Sequence, residues 1–65
     1  MSFHAFQQRV IDEKTDLDTK ITNLEKFLTT TTFQGLDPAE QARLTRQAVV
    51  MTDLSKILGE RIENF

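Results

Sequence analysis

Gly35 and Pro38 fall together in mid-chain, and no other glycine or proline precedes Gly59. That one break divides the sequence into two long stretches, and each repeats its apolar residues at intervals of three and four. Before the break stand Phe3, Phe6, Val10, Leu17, Ile21, Leu24 and Leu28, with one gap filled by Glu13 or Lys14. After it come Leu44, Ala48, Met51, Leu58, Ile62 and Phe65. Such spacing gathers apolar side chains on one narrow stripe of a helix, as in a coiled-coil seam. The sequence therefore predicts an all-α, single-domain chain over residues 1–65. Helix 1 is expected over about 2–29, a loop over about 30–37 and helix 2 over about 38–64. A connection this short makes the two helices antiparallel.

The start of the second helix is explicit. Asp37 suits the N-cap, Pro38 the first helical position and Glu40 the third, where it can reach back to complete a capping box. Gly59 weakens the last turns, at a cost of about 1 kcal/mol against alanine. Near-symmetric pairing about the loop brings Leu24 level with Arg43 and Leu44. It also brings Lys14 level with Asp53. Two readings of Lys14 are open, an ion pair that sets the register or a lysine reaching out to solvent.

A chain of 65 residues without cysteine buries little core and has no disulfide to staple it. Very regular helix packing or oligomerisation must supply the difference. Helix 2 points to oligomerisation, because Val50, Leu54 and Ile57 lie to one side of its main apolar face, near Arg43 and Arg61. Phe27 falls off the seam of helix 1. A helix pair with a second apolar stripe leaves that stripe uncovered, and uncovered stripes mark interfaces. Phe27, Val50, Leu54, Ile57 and Arg61 are thus the expected interface of a homo-oligomer. The other reading is that the stripe broadens the core.

The net charge of −2 and the pI near 5.2 argue against DNA binding, which needs a basic surface. A helix-turn-helix would also need a third helix. No apolar run approaches the length of a membrane span, and no signal segment opens the sequence. His4 is the only histidine and has no motif around it. Asp12, Glu13 and Asp16 could together face a metal, but no histidine-containing metal motif accompanies them, so they are read as a solvated acidic face. No phosphate-binding glycine loop or nucleophile motif occurs. The expectation is a non-enzymatic protein with no cofactor.

The run Thr29-Thr30-Thr31-Thr32 raises a sharper question. It can serve as the stop of helix 1, or its hydroxyls can hold an anion beside the start of helix 2. From Gln41 to Thr52 there is no acidic residue, and Arg43 and Arg46 lie within that stretch. Arginine grips phosphate at two points, hydroxyls donate to it, and an aromatic ring stacks on a base. Lys26, Thr29, Thr30, Thr31, Thr32, Phe33, Arg43 and Arg46 are accordingly the candidate ligand-binding residues. In the alternative, Phe33 plugs the closed end of the hairpin and the arginines are merely solvated.

The stretches FQQRVIDEKTDLDTKITNLEKFL and FQGLDPAEQARLTRQAVVMTDLSKILGERI resemble a group of very short phage and prophage proteins, including small proteins related to crAss-like phages. The shared pattern is F-x-x-R-V, then L-x-x-K-I-x-x-L-x-x-F, then E-Q-x-x-L-x-x-Q-x-x-x-M and L-x-x-R-I, and it spans nearly the whole chain. That group is similar to the helical-hairpin sponges of phages, which assemble into oligomers and sequester nucleotide second messengers. They thereby blunt bacterial immunity of the cyclic-oligonucleotide (CBASS) or TIR-derived (Thoeris) kind. The resemblance implies binding without catalysis, pockets between subunits and a place in the cytoplasm of the bacterial host. The implied partners are further copies of the chain and a nucleotide, cyclic or TIR-derived. It carries over no pocket residue. This chain has no tyrosine and no tryptophan, so stacking on a base would fall to phenylalanine or an arginine plane. The other function open at this point is a module whose exposed stripe docks in a groove of a host protein and inhibits it.

Overall fold

A computed structural model describes residues 4–65; Phe3, expected on the first seam, and the first residues of the expected helix lie outside them. The described residues form α1 (Ala5–Phe27), α2 (Thr31–Gln34) and α3 (Pro38–Glu63), with no strand among them. α1 and α3 pack side by side along a rod of 50 × 14 × 14 Å. α1 begins as His4 N–H donates to the Gln7 side-chain oxygen at 2.9 Å, satisfying one of the free N-terminal donors.

Non-exposed residues recur on α1 at Gln7, Val10, Lys14, Leu17, Ile21 and Leu24, and continue at Leu28 just beyond it. On α3 they recur at Gln41, Leu44, Ala48, Met51, Ser55, Leu58 and Ile62. Both series step by alternate threes and fours, the spacing of a knobs-into-holes seam. Only Val10, Ile21, Ala48 and Leu58 are buried apolar residues among those described, and of these Leu58 alone is fully buried, because a rod one helix pair thick has almost no interior.

Each seam has a polar member, and the two meet. Lys14 Nζ donates to Ser55 Oγ at 3.0 Å across the interface and to Asp18 Oδ2 at 2.9 Å along its own helix. The Ser55 hydroxyl in turn donates to Asp18 Oδ1. The expected partner of Lys14, Asp53, is instead exposed. The partner of Lys14 thus lies two residues further along α3 than loop-symmetric counting assumes. Gly59 lies beside this cluster, where an added methyl would stand 3.3 Å from Lys14 Cε.

Within the connection expected over 30–37 the chain makes a further helical turn, α2. Thr29 and Thr30 end α1 by donating their hydroxyls to the carbonyls of Lys26 and Phe27, both at 2.7 Å. The Thr30 hydroxyl oxygen then accepts from Phe33 N–H at 3.2 Å and so caps α2. Gln41 clamps the connection from the other side, its Nε2 lying 3.0 Å from the carbonyls of Phe33, Gln34 and Leu36. Asp37 caps α3 by accepting from Ala39 N–H at 3.1 Å. The capping box expected there is not made, because Glu40 Oε1 accepts from Arg43 Nε at 2.8 Å instead.

Candidate functional site

The expected ligand-binding residues divide into two groups with different surroundings. The threonines belong to the closed end of the rod. Thr29 and Thr30 spend their hydroxyl protons on the end of α1, while Thr31 and Thr32 are exposed in the single turn of α2. Phe33 is half-buried and meets Phe27 edge to face, with ring centres 6.1 Å apart. Phe27 thus contributes to the end plug as well as being an expected interface residue. Lys26 is exposed in the last turn of α1.

The arginines belong to α3. Arg43 and Arg46 line a shallow depression of about 360 Å³ with Gln47, Val50 and Met51. No threonine contributes to it. Glu40 offsets part of the charge by its ion pair with Arg43, and both side chains are open enough to water for that pair to be weak. Arg46 carries the larger share of unbalanced charge in the depression.

The arginine depression runs into the apolar stripe. Val50, Leu54 and Ile57 are 60%, 41% and 52% exposed, and Arg61 is exposed one turn beyond Ile57. The uncovered stripe is therefore present on the single chain, and the reading in which it broadens the core fails. Val49 is also exposed, which widens the uncovered arc beyond the residues expected from the sequence.

Two grooves flank this surface, and both draw on both helices. In one, of about 520 Å³, Leu54 of α3 faces Arg9, Asp12, Glu13, Asp16, Leu17 and Lys20 of α1. In the other, of about 390 Å³, Glu25 and Leu28 face Thr45, Ala48, Val49, Thr52, Asp53 and Lys56. The first was legible in part, since positions 9, 12, 13, 16, 17 and 20 share one face of a 3.6-residue helix. Its apposition to Leu54 was not, since it depends on the register. The acidic trio Asp12, Glu13 and Asp16 falls on this groove, and no cluster of three metal-ligating side chains converges among the described residues.

The electrostatics of the helix interface centre on Asp18. The hydrogen bond from Lys14, and next the one from Ser55, hold its carboxyl below the ordinary aspartate value. Both donors favour the ionised form. No helix among the described residues is long and apolar enough to cross a membrane.

Comparison with known proteins adds one finding. Residues 4–64 match the family model described as Sequestin. No curated protein and no solved structure matches the chain.

Proposed function

The chain belongs to the Sequestin family, and from that premise we propose that it is a phage-derived, non-catalytic sponge that binds and holds a nucleotide immune signal in the cytoplasm of the bacterial host. The family name speaks of sequestering. The signal class, a cyclic di- or trinucleotide or a TIR-derived nucleotide, comes from the resemblance to phage hairpin sponges. The sponge works as a homo-oligomer, with Val50, Leu54 and Ile57 covered by further copies and the arginines at the edge of the covered stripe. Arg43 and Arg46 hold phosphate, with Lys26 and the outward hydroxyls of Thr31 and Thr32 adding to the field. Phe33 is the ring nearest these hydroxyls for stacking.

One observation carries this reading: the rod is 14 Å across and its depressions are open, so one chain cannot surround a ligand. Capture that withholds a ligand from its receptor needs enclosure, and enclosure needs a second copy. The exposed area agrees with this. The chain presents 4960 Å² to solvent, where a compact protein of its mass would present roughly 4,250 Å². The surplus follows from the elongated rod, and part of it is the uncovered Val50, Leu54 and Ile57.

A second reading uses the same stripe. Val50, Leu54 and Ile57 stand at i, i+4 and i+7, the spacing by which an amphipathic helix fills a groove on another protein. Native mass and thermal melting separate the two. A ligand that binds the folded form alone raises the melting temperature by mass action. The sponge is expected as an oligomer of fixed mass whose melting temperature rises with one class of cyclic nucleotide or ADP-ribose-type signal. A single chain that responds to none of these well above micromolar concentration would overturn it in favour of the docking module.

A further inference from the structure

We propose that the Lys14–Asp18–Ser55 cluster is a register lock, a polar device that fixes how α1 and α3 slide against each other and thereby composes the two grooves. The argument starts from the seam. Away from the end positions Gln7 and Gln41, Lys14 is the one polar residue on the seam of α1 and Ser55 the one on that of α3. They are bonded to each other at 3.0 Å. Their remaining capacity goes to Asp18, which accepts from both, and no buried side-chain polar atom among the described residues lacks a partner.

Leucine, isoleucine and methionine do not tell one seam position from the next, so an apolar seam fits itself nearly as well after a slip of one heptad. A polar pair removes that degeneracy. Slipped by seven residues, Lys14 would face Ala48 or Ile62, and Ser55 would face Gln7 or Ile21. Either slip breaks the bonds that Ser55 makes to Lys14 and Asp18 while Lys14 keeps Asp18 along its own helix, and the slip onto Ile21 leaves the buried Ser55 hydroxyl against an apolar side chain, which is costly. A buried polar residue that fixes helix register is the best-attested use of such groups. Gly59 fits the same device, since the absence of a side chain there leaves room for the Lys14 stem.

The functional consequence is direct. Leu54 faces Arg9, Asp12, Glu13, Asp16, Leu17 and Lys20 only in this register. A slip would present a different set to whatever occupies the groove. The lock therefore matters under either reading of the function.

The chain has no cysteine, so a pair of introduced thiols labels it cleanly. Asn23→Cys and Glu60→Cys, both at exposed positions, carry spin labels whose separation reports the slide of α3 along α1. Diluted into an excess of unlabelled chain so that only separations within one chain are read, the parent is expected to give one narrow distance. Lys14→Leu with Ser55→Leu is expected to melt no lower and to show a second population displaced by ~10 Å, seven residues at about 1.5 Å each. Ile21→Lys with Ala48→Ser, added to that background, is expected to restore the single parent distance. It rebuilds the lock one heptad along in the same register, with Glu25 standing where Asp18 stood. Lys14→Met with Ser55→Ala, closer to the parent in volume, serves should the leucine variant aggregate. One unchanged distance in the apolar variants would overturn the proposal. So would loss of the folded helices in both, because the cluster would then supply stability and not register.

Discussion

Gly59 lies against the stem of Lys14, close enough that a methyl at position 59 would stand 3.3 Å from Lys14 Cε. That is tighter than an ordinary carbon contact, and the lysine cannot swing freely away because its ammonium is bonded to Asp18 and Ser55. Two effects therefore oppose each other at this position. Alanine gains about 1 kcal/mol of helix propensity over glycine, and crowding of Lys14 takes part of it back. Gly59→Ala is expected to stabilise the parent by clearly less than ~1 kcal/mol, and a Lys14→Ala background by the full amount. Denaturant titrations of the four proteins at one fixed concentration measure the difference. Equal gains in both backgrounds would mean that the contact has no energetic weight.

Asp18 gives the cluster a pH dependence. Its carboxyl is held below the ordinary aspartate value by the bond from Lys14 first and Ser55 second. A group whose folded value is depressed stabilises the fold above its unfolded value, about 3.9. That contribution falls away as pH drops from there through the folded value. Asp18→Asn is therefore expected to lower the melting temperature at pH 7 and to converge on the parent as pH falls below about 4. A gap between the two proteins that stays constant down to pH 2 would assign the loss to something other than the charge on Asp18.

The sequence was most informative where local chemistry decides. The threes and fours of the apolar residues and the Asp37-Pro38 start gave two helices and the beginning of the second. They do not give the register, which is why counting from the loop pairs Lys14 with Asp53 and not with Ser55, its partner in the fold. A serine in a helix carries no signal of its own, and only the facing lysine gives it meaning. The capping box at Glu40 failed for a related reason. Arg43 is a charged partner three residues on, and the sequence does not rank it against a backbone N–H. The exposed stripe at Val50, Leu54 and Ile57 was legible because too many apolar residues for one partner helix is a matter of counting faces. The pooling of the threonines with the arginines was proximity in sequence, and the fold puts the hydroxyls of Thr29 and Thr30 to a different use.

Leu54 tests the oligomer. At 41% exposed it borders solvent in the single chain, so Leu54→Glu should cost the isolated hairpin little, within about 1 kcal/mol. Buried between copies, the same carboxylate would be desolvated without a partner, a penalty of several kcal/mol. Native mass spectrometry is expected to find the variant as a 7.5 kDa chain under conditions where the parent is larger, with helical circular dichroism retained. Equal native masses for parent and variant would leave Leu54 outside any interface.

The threonines and arginines can be separated by their roles. Thr30 closes α1 and caps α2, so Thr30→Ala should cost about 1 kcal/mol of stability, the usual loss of a cap. Ligand affinity, measured well below the melting temperature, should change little. Arg43→Ala with Arg46→Ala should do the reverse, because both side chains are exposed and the pair Arg43 makes with Glu40 is open to water. Each charged hydrogen bond to a phosphate is worth about 1.5–3 kcal/mol, so loss of both should weaken nucleotide binding by at least 100-fold. Stability should move by less than about 0.5 kcal/mol. Thr31→Val decides what remains of the hydroxyl reading, since no role in the fold claims that side chain. A tenfold weaker affinity for Thr31→Val with unchanged melting would add α2 to the site. Unchanged affinity on both counts would confine the site to the arginine side of α3 and leave the four threonines as the end of one helix and the start of the next.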